Sequence, residues 1–593
     1  MNFFKTLLAS MLGTVLALGI IMLIFVLLIV SAVSSSDSKE IKVSENSVLH
    51  ITLEGTMTER SYQKEFNFSS GGFEGGNTSG LHKFISELER AQKDDRIKGI
   101  FLEISDFAAA PSTILDVRRA LADFKNSGKW ILSYGEDFSQ GGYYLASAAN
   151  EVYLYPQGSL DWRGINAEVS FFKNMLDKLE IEAQVIRGPN NRFKSAVEPF
   201  MYDKMSPENK EQIATFIGDI WRTMLDGISA SRSIELAQLN QYADSLTLIN
   251  PEKAVETRML DGLKYRDEVI AMIKAKLGIE ATAPDKDLKL ISLADYEDEE
   301  KEESEQVKKE KVAVVYAVGA IESGEGDDET IGSDRIAKAL KKAREDEKVK
   351  AIVLRVNSPG GSALASDVIW RETQLIKQSG KPFYVSMGDY AASGGYYISC
   401  AADKIYANQN TITGSIGVFG IVPNVEKFMG NKLGITFDRY ETNPHADLIS
   451  ITKPFDEMEM KAMQDMVTQI YDDFTQKVAT GRGITQAQVD SIGQGRVWSG
   501  EDAKALGLVD EIGNLNDCIK AAAAQAGIAE YEIKSLPMLI DPFQKLMEDL
   551  SGKKETQVME SYLGEHFITF MKVKDLLKKK EVQARMPFEI VIQ

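Results

Sequence analysis

Histidine and cysteine are scarce in this chain of 593 residues, which holds four of the first and two of the second. Cys400 and Cys518 are too few for a disulfide scaffold and stand in no metal-ligand spacing. His50, His82, His445 and His566 are scattered, with no HxxxH or HxH pair, which argues against a histidine metal site. Positive charge is also short. Against 88 Asp and Glu stand 68 Lys and Arg, a net charge of −20. A surface of that sign repels phosphate backbones and disfavours nucleic-acid binding. What remains, 44% hydrophobic and 26% charged, is an ordinary globular composition. At about 150 residues per domain, the length suggests three to four domains or two large ones.

Charge is missing altogether between Thr6 and Ser36, and Val15 to Val33 is almost wholly apolar. A bilayer-spanning helix needs about 20 such residues, whereas a signal-peptide core has about 7–15. We therefore expect residues 1–40 to form a single membrane anchor with the N-terminus in the cytoplasm. The alternative is a long signal peptide cut near Ala32. No later stretch reaches spanning length without charge, so the rest is expected to be one soluble body.

The chain repeats itself. DRIKGIFLEIS (95–105) matches EKVKAIVLRVN (347–357), a charged run leading into a strand. The helical patterns upstream match as well, with Leu88 over Leu340 and Ala91 over Ala343. Gly141-Gly142-Tyr143-Tyr144 falls on Gly394-Gly395-Tyr396-Tyr397, and EKAVETRMLDGL (252–263) resembles EDAKALGLVDEI (501–512). Strands alternating with helices of about 10–15 residues indicate parallel sheets with helical crossovers. The expected organisation is two tandem homologous α/β domains, 45–290 and 312–530. A charged, solvated linker (291–311) separates them, and a tail (531–593) follows.

The differences between the copies point to chemistry. After its strand the second copy has Asn357-Ser358-Pro359-Gly360-Gly361-Ser362, where the first has Ser105-Asp106-Phe107-Ala108-Ala109-Ala110. Paired glycines leave amide N–H groups bare, which suits a backbone oxyanion hole, although a plain strand-to-helix turn also uses them. Ser393, in ASGGYY at a strand-to-helix junction, faces Gln140 in the first copy. It is a candidate nucleophile; its other natural role is helix N-cap.

A serine needs a base. In the second copy ahead of the tail only His445 is available for a triad. The alternative is a lysine whose burial lowers its pKa. Lys194, in NNRFKSAVEPF, lies in apolar surroundings, and Ile449 stands at its place in the second copy. One copy thus keeps the lysine and the other the serine.

FKSAVEPF, NSPGGS, ASGGYY and TGSIGVFG (413–420), behind an apolar N-terminus, resemble the bacterial signal peptide peptidase A (protease IV) family in its long, duplicated form. The resemblance implies a ββα superhelix of the caseinolytic-protease/crotonase kind in each half. It implies a serine protease in which Ser393 is the nucleophile, Lys194 the general base, and Ser415 orients the lysine. Backbone N–H groups of Gly361 and Gly394 would hold the oxyanion, with no metal or cofactor. It further implies a homotetramer on the bacterial inner membrane, its soluble domains on the periplasmic side, digesting spent signal peptides. The rival readings are a crotonase-type acyl-CoA hydratase or isomerase, and a non-enzymatic membrane scaffold.

Overall fold

A computed structural model describes residues 43–61, 80–296 and 310–539, short strands at 65–67, 72–74 and 583–585, and six residues between Met11 and Ile20. The expected anchor falls mostly outside the described residues. Among those described, no helix is long and apolar enough to cross a membrane.

The first half is built on a parallel sheet. Its strands are β1 (Ser47–Thr56), β2 (Ile97–Ala108), β3 (Trp130–Gly135), β4 (Glu151–Leu154) and two short ones, Gly262–Leu263 and Leu290–Ser292. Their order is 262–263, β4, β3, β2, β1, 290–292. Helices α1 (Leu81–Lys93), α2 (Pro111–Asn126) and α3 (Gln140–Ala146) make the crossovers. A further strand, β5 (Glu182–Arg187), leaves this sheet, and a long helix, α4 (Pro207–Arg232), follows.

The second half repeats the plan. Strands β6 (Lys311–Val318), β7 (Ala320–Glu322), β8 (Val349–Ser358), β9 (Gly360–Ser362), β10 (Phe383–Ala392), β11 (Ile412–Gly414) and β12 (Phe419–Asn424) alternate with α5 (Ser333–Glu345), α6 (Ala363–Gln378) and α7 (Gly394–Ser399). The long helix α8 (Glu457–Arg482) has the same 26 residues as α4. The spacing of apolar positions explains the match. α1 buries Phe84, Leu88 and Ala91, and α5 buries Ile336, Leu340 and Ala343, one stripe at helical period against each sheet. The central strands β8 and β10 are buried on both faces, as parallel strands covered by helices are.

Two boundaries differ from the sequence-based ones. Strand Glu532–Leu536 pairs parallel with β6 and completes the second sheet, so that sheet runs past residue 530. The start of the charged linker is not wholly solvated. Tyr296 is fully buried, its ring under the Arg90 guanidinium and its hydroxyl donating to Asp94 at 3.1 Å.

A third sheet joins the halves. In it β5 of the first half runs antiparallel to β12 of the second, from Arg187 opposite Phe419 to Glu182 opposite Asn424. A strand of the tail, β13 (Gln583–Arg585), lies antiparallel to β9 on one side and meets β12 on the other.

Candidate active site

Strand β10 carries Ser393 to the start of α7. Ser393 has φ 56° and ψ −111°, a backbone conformation that non-glycine residues avoid and that persists only when neighbours enforce it. Its N–H donates to Gly414 O at 2.8 Å, and its carbonyl accepts from Tyr397 N–H at 2.8 Å. Its hydroxyl does not cap the helix. In the first copy Ser139, beside Gln140, does cap, accepting from Gly142 N–H. The Ser393 hydroxyl is thereby left for another partner, and that partner is Lys194, whose Nζ lies 2.8 Å from Oγ.

Lys194 reaches the second copy because β5 pairs with β12 and delivers the following loop across the boundary between the halves. Phe193 N–H donates to Gln494 O at 2.9 Å, and Gln212 Nε2 on α4 donates to Phe193 O and Ser195 Oγ. Gly495 packs so closely that a Cβ there would sit 2.5 Å from that of Lys194. The lysine is 1% exposed, and burial lowers its pKa to about 7. Nζ also lies 3.0 Å from Ser415 Oγ and 3.1 Å from Ser415 O. A neutral amine has two N–H groups and one lone pair. Both N–H groups are used by Ser415, which leaves the lone pair for the Ser393 hydroxyl.

The glycine turn lies beside this pair. Gly360 has φ +98°, and a Cβ on Gly361 would lie 2.0 Å from the carbonyl oxygen of Ile321 on β7. A Cβ on Gly395 would come within 2.8 Å of Ser358 O, so the turn and the α7 N-terminus with Gly394 are held face to face. Gln140 closes the equivalent corner of the first copy: its Nε2 donates to Gly164 O, and its Oε1 accepts from Arg163 and Gly164 N–H.

A model of "Peptidase family S49" matches residues 123–280 and 376–529, one stretch in each half. The chain belongs to peptidase family S49. The first stretch contains Lys194, and the second contains Ser393 and Ser415. "Protease 4" of Salmonella typhi is 37% identical over 81% of this chain and 78% of its own. "Protease 4" of Haemophilus influenzae is 35% identical over 86% and 84%, and "Serine protease SPPA, chloroplastic" of Arabidopsis thaliana 31% over 86% and 74%. Among solved structures, a ClpP1 mutant from Listeria monocytogenes covers 35% of this chain and 94% of its own, at 18% identity and a TM-score of 0.24. As an S49 peptidase the protein is a serine protease.

His445, the other candidate base, lies in a turn ahead of α8. Its Nδ1 faces Glu459 at 3.3 Å and Asp456 at 3.4 Å, and it touches no group around Ser393. Those two carboxylates could in principle share a cation with His445. Each already accepts the other's backbone N–H in the capping box that starts α8, and the Lys453 ammonium sits 2.9 Å from Glu459. Ile449, at the lysine's place in the second copy, is exposed in a turn.

The sequence reading of this S49 site missed its buried support. Glu59 of the first copy receives a two-pronged bond from Arg355 on β8, at 2.9 Å for each oxygen. Asn357, at the head of the glycine turn, donates to Glu59 and Asp389 and accepts from Tyr390 N–H. Asp389, four residues before Ser393, accepts from the Thr113 N–H and hydroxyl. It thereby caps α2 of the other copy, whose own N-cap is Ala110. Burial raises its pKa, the Glu59 charge adds to that, and the Thr113 bonds oppose it. Charged residues far apart in sequence give no periodicity, so this cross-copy network had no local signal. Glu59→Ala should destabilise the protein by about 3–5 kcal/mol, because it leaves the Arg355 guanidinium buried and unpaired. Denaturant unfolding measures this; a change under about 1 kcal/mol would show that the guanidinium finds other partners.

Proposed function

We propose that the protein is a membrane-anchored endopeptidase working through a Ser393–Lys194 dyad on signal peptides left in the bilayer. The carrying observation is the buried lysine amine, 2.8 Å from the hydroxyl of a serine held at φ 56° and with its pKa lowered to about 7. In the first step neutral Lys194 takes the Ser393 proton as Oγ attacks the scissile carbonyl. The amides of Gly361 and Gly394 hold the oxyanion. The ammonium then protonates the leaving amine, and water, activated by the same lysine, releases the acyl group. Ser415 fixes the direction of the lysine lone pair in both steps.

The tail supports an extended, strand-like substrate. Residues 583–585 pair with β9 beside the glycine turn and with β12 across from it, so this slot accepts a peptide backbone. The family resemblance supports the ββα superhelix in each half and assembly as a homotetramer. The uncharged run from Thr6 to Ser36 supports an anchor in a bacterial inner membrane, with the soluble halves on the periplasmic side.

A fluorophosphonate probe should label Ser393 in the wild type and fail on Ser393→Ala. The labelled protein should float with membranes, and protease added to spheroplasts should reach the soluble halves. Labelling at another serine, or a soluble protein beginning near Val33, would overturn the chemistry or the anchoring respectively.

A further inference from the structure

The helices α4 and α8 run in register over their 26 residues. Ile213 lies on Met463, Met224 on Phe474 and Ile228 on Val478, and all six are buried. In this register Gln212 falls on Ala462. Ala462 is exposed, whereas Gln212 is 2% exposed, an unusual depth for a side-chain amide, which must find hydrogen-bond partners there. Its partners all lie around the lysine. Nε2 donates to Phe193 O at 3.1 Å and to Ser195 Oγ at 2.9 Å, one on each side of Lys194, and lies 3.1 Å from Asn209 Oδ1. Oε1 accepts from the Val497 N–H of the second copy at 3.4 Å. Val497 stands opposite Gly414 on β11, and the carbonyl of its neighbour Arg496 accepts the Ser415 N–H at 2.6 Å. One amide thus ties the lysine loop to the strand that holds Ser415.

The start of α4 makes the same tie with charge. Glu208 lies 3.1 Å from Arg192 on the lysine loop, and Glu211 lies 2.8 Å from Arg496 in the second copy. Both guanidinium groups lie over the Phe193 ring, at 5.5 and 4.7 Å from its centre. These pairs are partly exposed and contribute little singly, while the bonds of Gln212 are inside, where an unmade one is costly. Lys194 needs such a hold. Its backbone, at φ −75° and ψ 80°, belongs to no helix or strand, and its side chain is long.

We propose that Gln212 is a positioning residue of the Ser393–Lys194 pair, fixing the backbone on both sides of Lys194 against the second-copy strand that backs Ser415. The inference rests on the dyad proposed above and assigns Gln212 no contact with the reacting atoms. It also explains why the second copy, which has no lysine to hold, carries alanine at this place. Burial is what lowers the Lys194 pKa. The charged side chains on the elements packed against the lysine loop are engaged with one another: Arg192 with Glu208, Arg496 with Glu211, and Glu198 with Ser206 and Asn209. Without the Gln212 amide, Phe193 O and Ser195 Oγ lose that partner and draw water in beside the lysine, and water favours the ammonium.

The test is Gln212→Met in the full-length protein, a side chain of similar length that fills the slot and makes none of the bonds. Its kcat on a short soluble peptide should fall by roughly 10–100-fold with KM within about threefold, the cost of misplacing a catalytic group by a fraction of an ångström to one ångström. The rise of kcat/KM with pH should move up from about 7 by roughly one pH unit. Should Gln212→Met fail to fold, Ser195→Ala removes only the acceptor beside the lysine, and it should shift the pH profile in the same direction by less. A kcat within about threefold of wild type, a loss carried by KM alone, or a lower kcat with an unmoved pH profile in the folded variant overturns the proposal. A wild type whose kcat/KM shows no rise near pH 7 counts against the dyad, and the role of Gln212 falls with it. A wild type that rises there beside an unshifted variant counts against Gln212 alone.

Discussion

Lys194→Met is expected to remove peptidase activity while making the protein more stable. General-base catalysis is worth roughly 10²–10⁴-fold, and with no second base in contact with Ser393 the loss should lie at the upper end. Lys194→Arg should be equally inactive, since a guanidinium stays protonated and cannot accept the serine proton. In the wild type the reactive form is the neutral amine, so kcat/KM should rise with pH through about 7 and then level off. Stability follows from the same displacement. The folded lysine releases its proton near 7, the unfolded one near 10.5. Between those values the unfolded chain binds more protons, so wild-type stability climbs with pH across that window. Methionine fills the same slot without a charge to desolvate. It should flatten that slope and raise stability at neutral pH by the order of a few kcal/mol. Activity from the methionine variant, or a pH profile rising only near 10, would return the proton to another group.

The duplication made most of this site legible. One copy of a motif says little, because a serine before a helix is usually a cap and a lysine near apolar residues usually snorkels. Two copies in register turn each position into a comparison. Gln140 against Ser393 and Ile449 against Lys194 showed residues kept on one side and replaced on the other, and the structure brings the two kept residues within 2.8 Å. What stayed hidden depends on packing between distant segments. Gly495, in the stretch SIGQGRVWSG, backs the lysine only because the loop at 493–496 folds under it, and a glycine between polar residues looks like any turn. Asp389 is one acid in a small-residue stretch of β10 and carries no motif of its own; it caps a helix more than 270 residues away in sequence. The tail strand at 583–585 has no hydrophobic alternation to announce it, since it takes its place from the edge of β9 rather than from a core.

Gly361→Ala should lower kcat by roughly 10²–10³-fold with little change in KM, the cost typical of losing one oxyanion donor. The reason is steric. The added methyl would sit 2.0 Å from the carbonyl oxygen of Ile321, which is backbone on a neighbouring strand and cannot rotate away. β9 must move off β7, and the Gly361 N–H moves with it. The first copy shows the outcome of filling this turn. Where the second copy breaks β8 at Ser358 and starts β9 at Gly360, the first has Ala108 and Ala109. There β2 passes a bulge at Asp106, with φ 41°, and continues to Ala108, still paired with β1 at Thr56. An alanine at 361 would push the second copy toward that continued strand and turn the Gly361 N–H away from the nucleophile. Steady-state kinetics on a soluble peptide separates the kcat loss from binding, and the unfolding midpoint shows that the fold survives. Fluorophosphonate labelling of Ser393 should slow in parallel, because the phosphoryl oxygen uses the same hole. A kcat within about threefold of wild type would mean that Gly361 does not face the reacting carbonyl, and the oxyanion would then rest on the N-terminus of α7 alone.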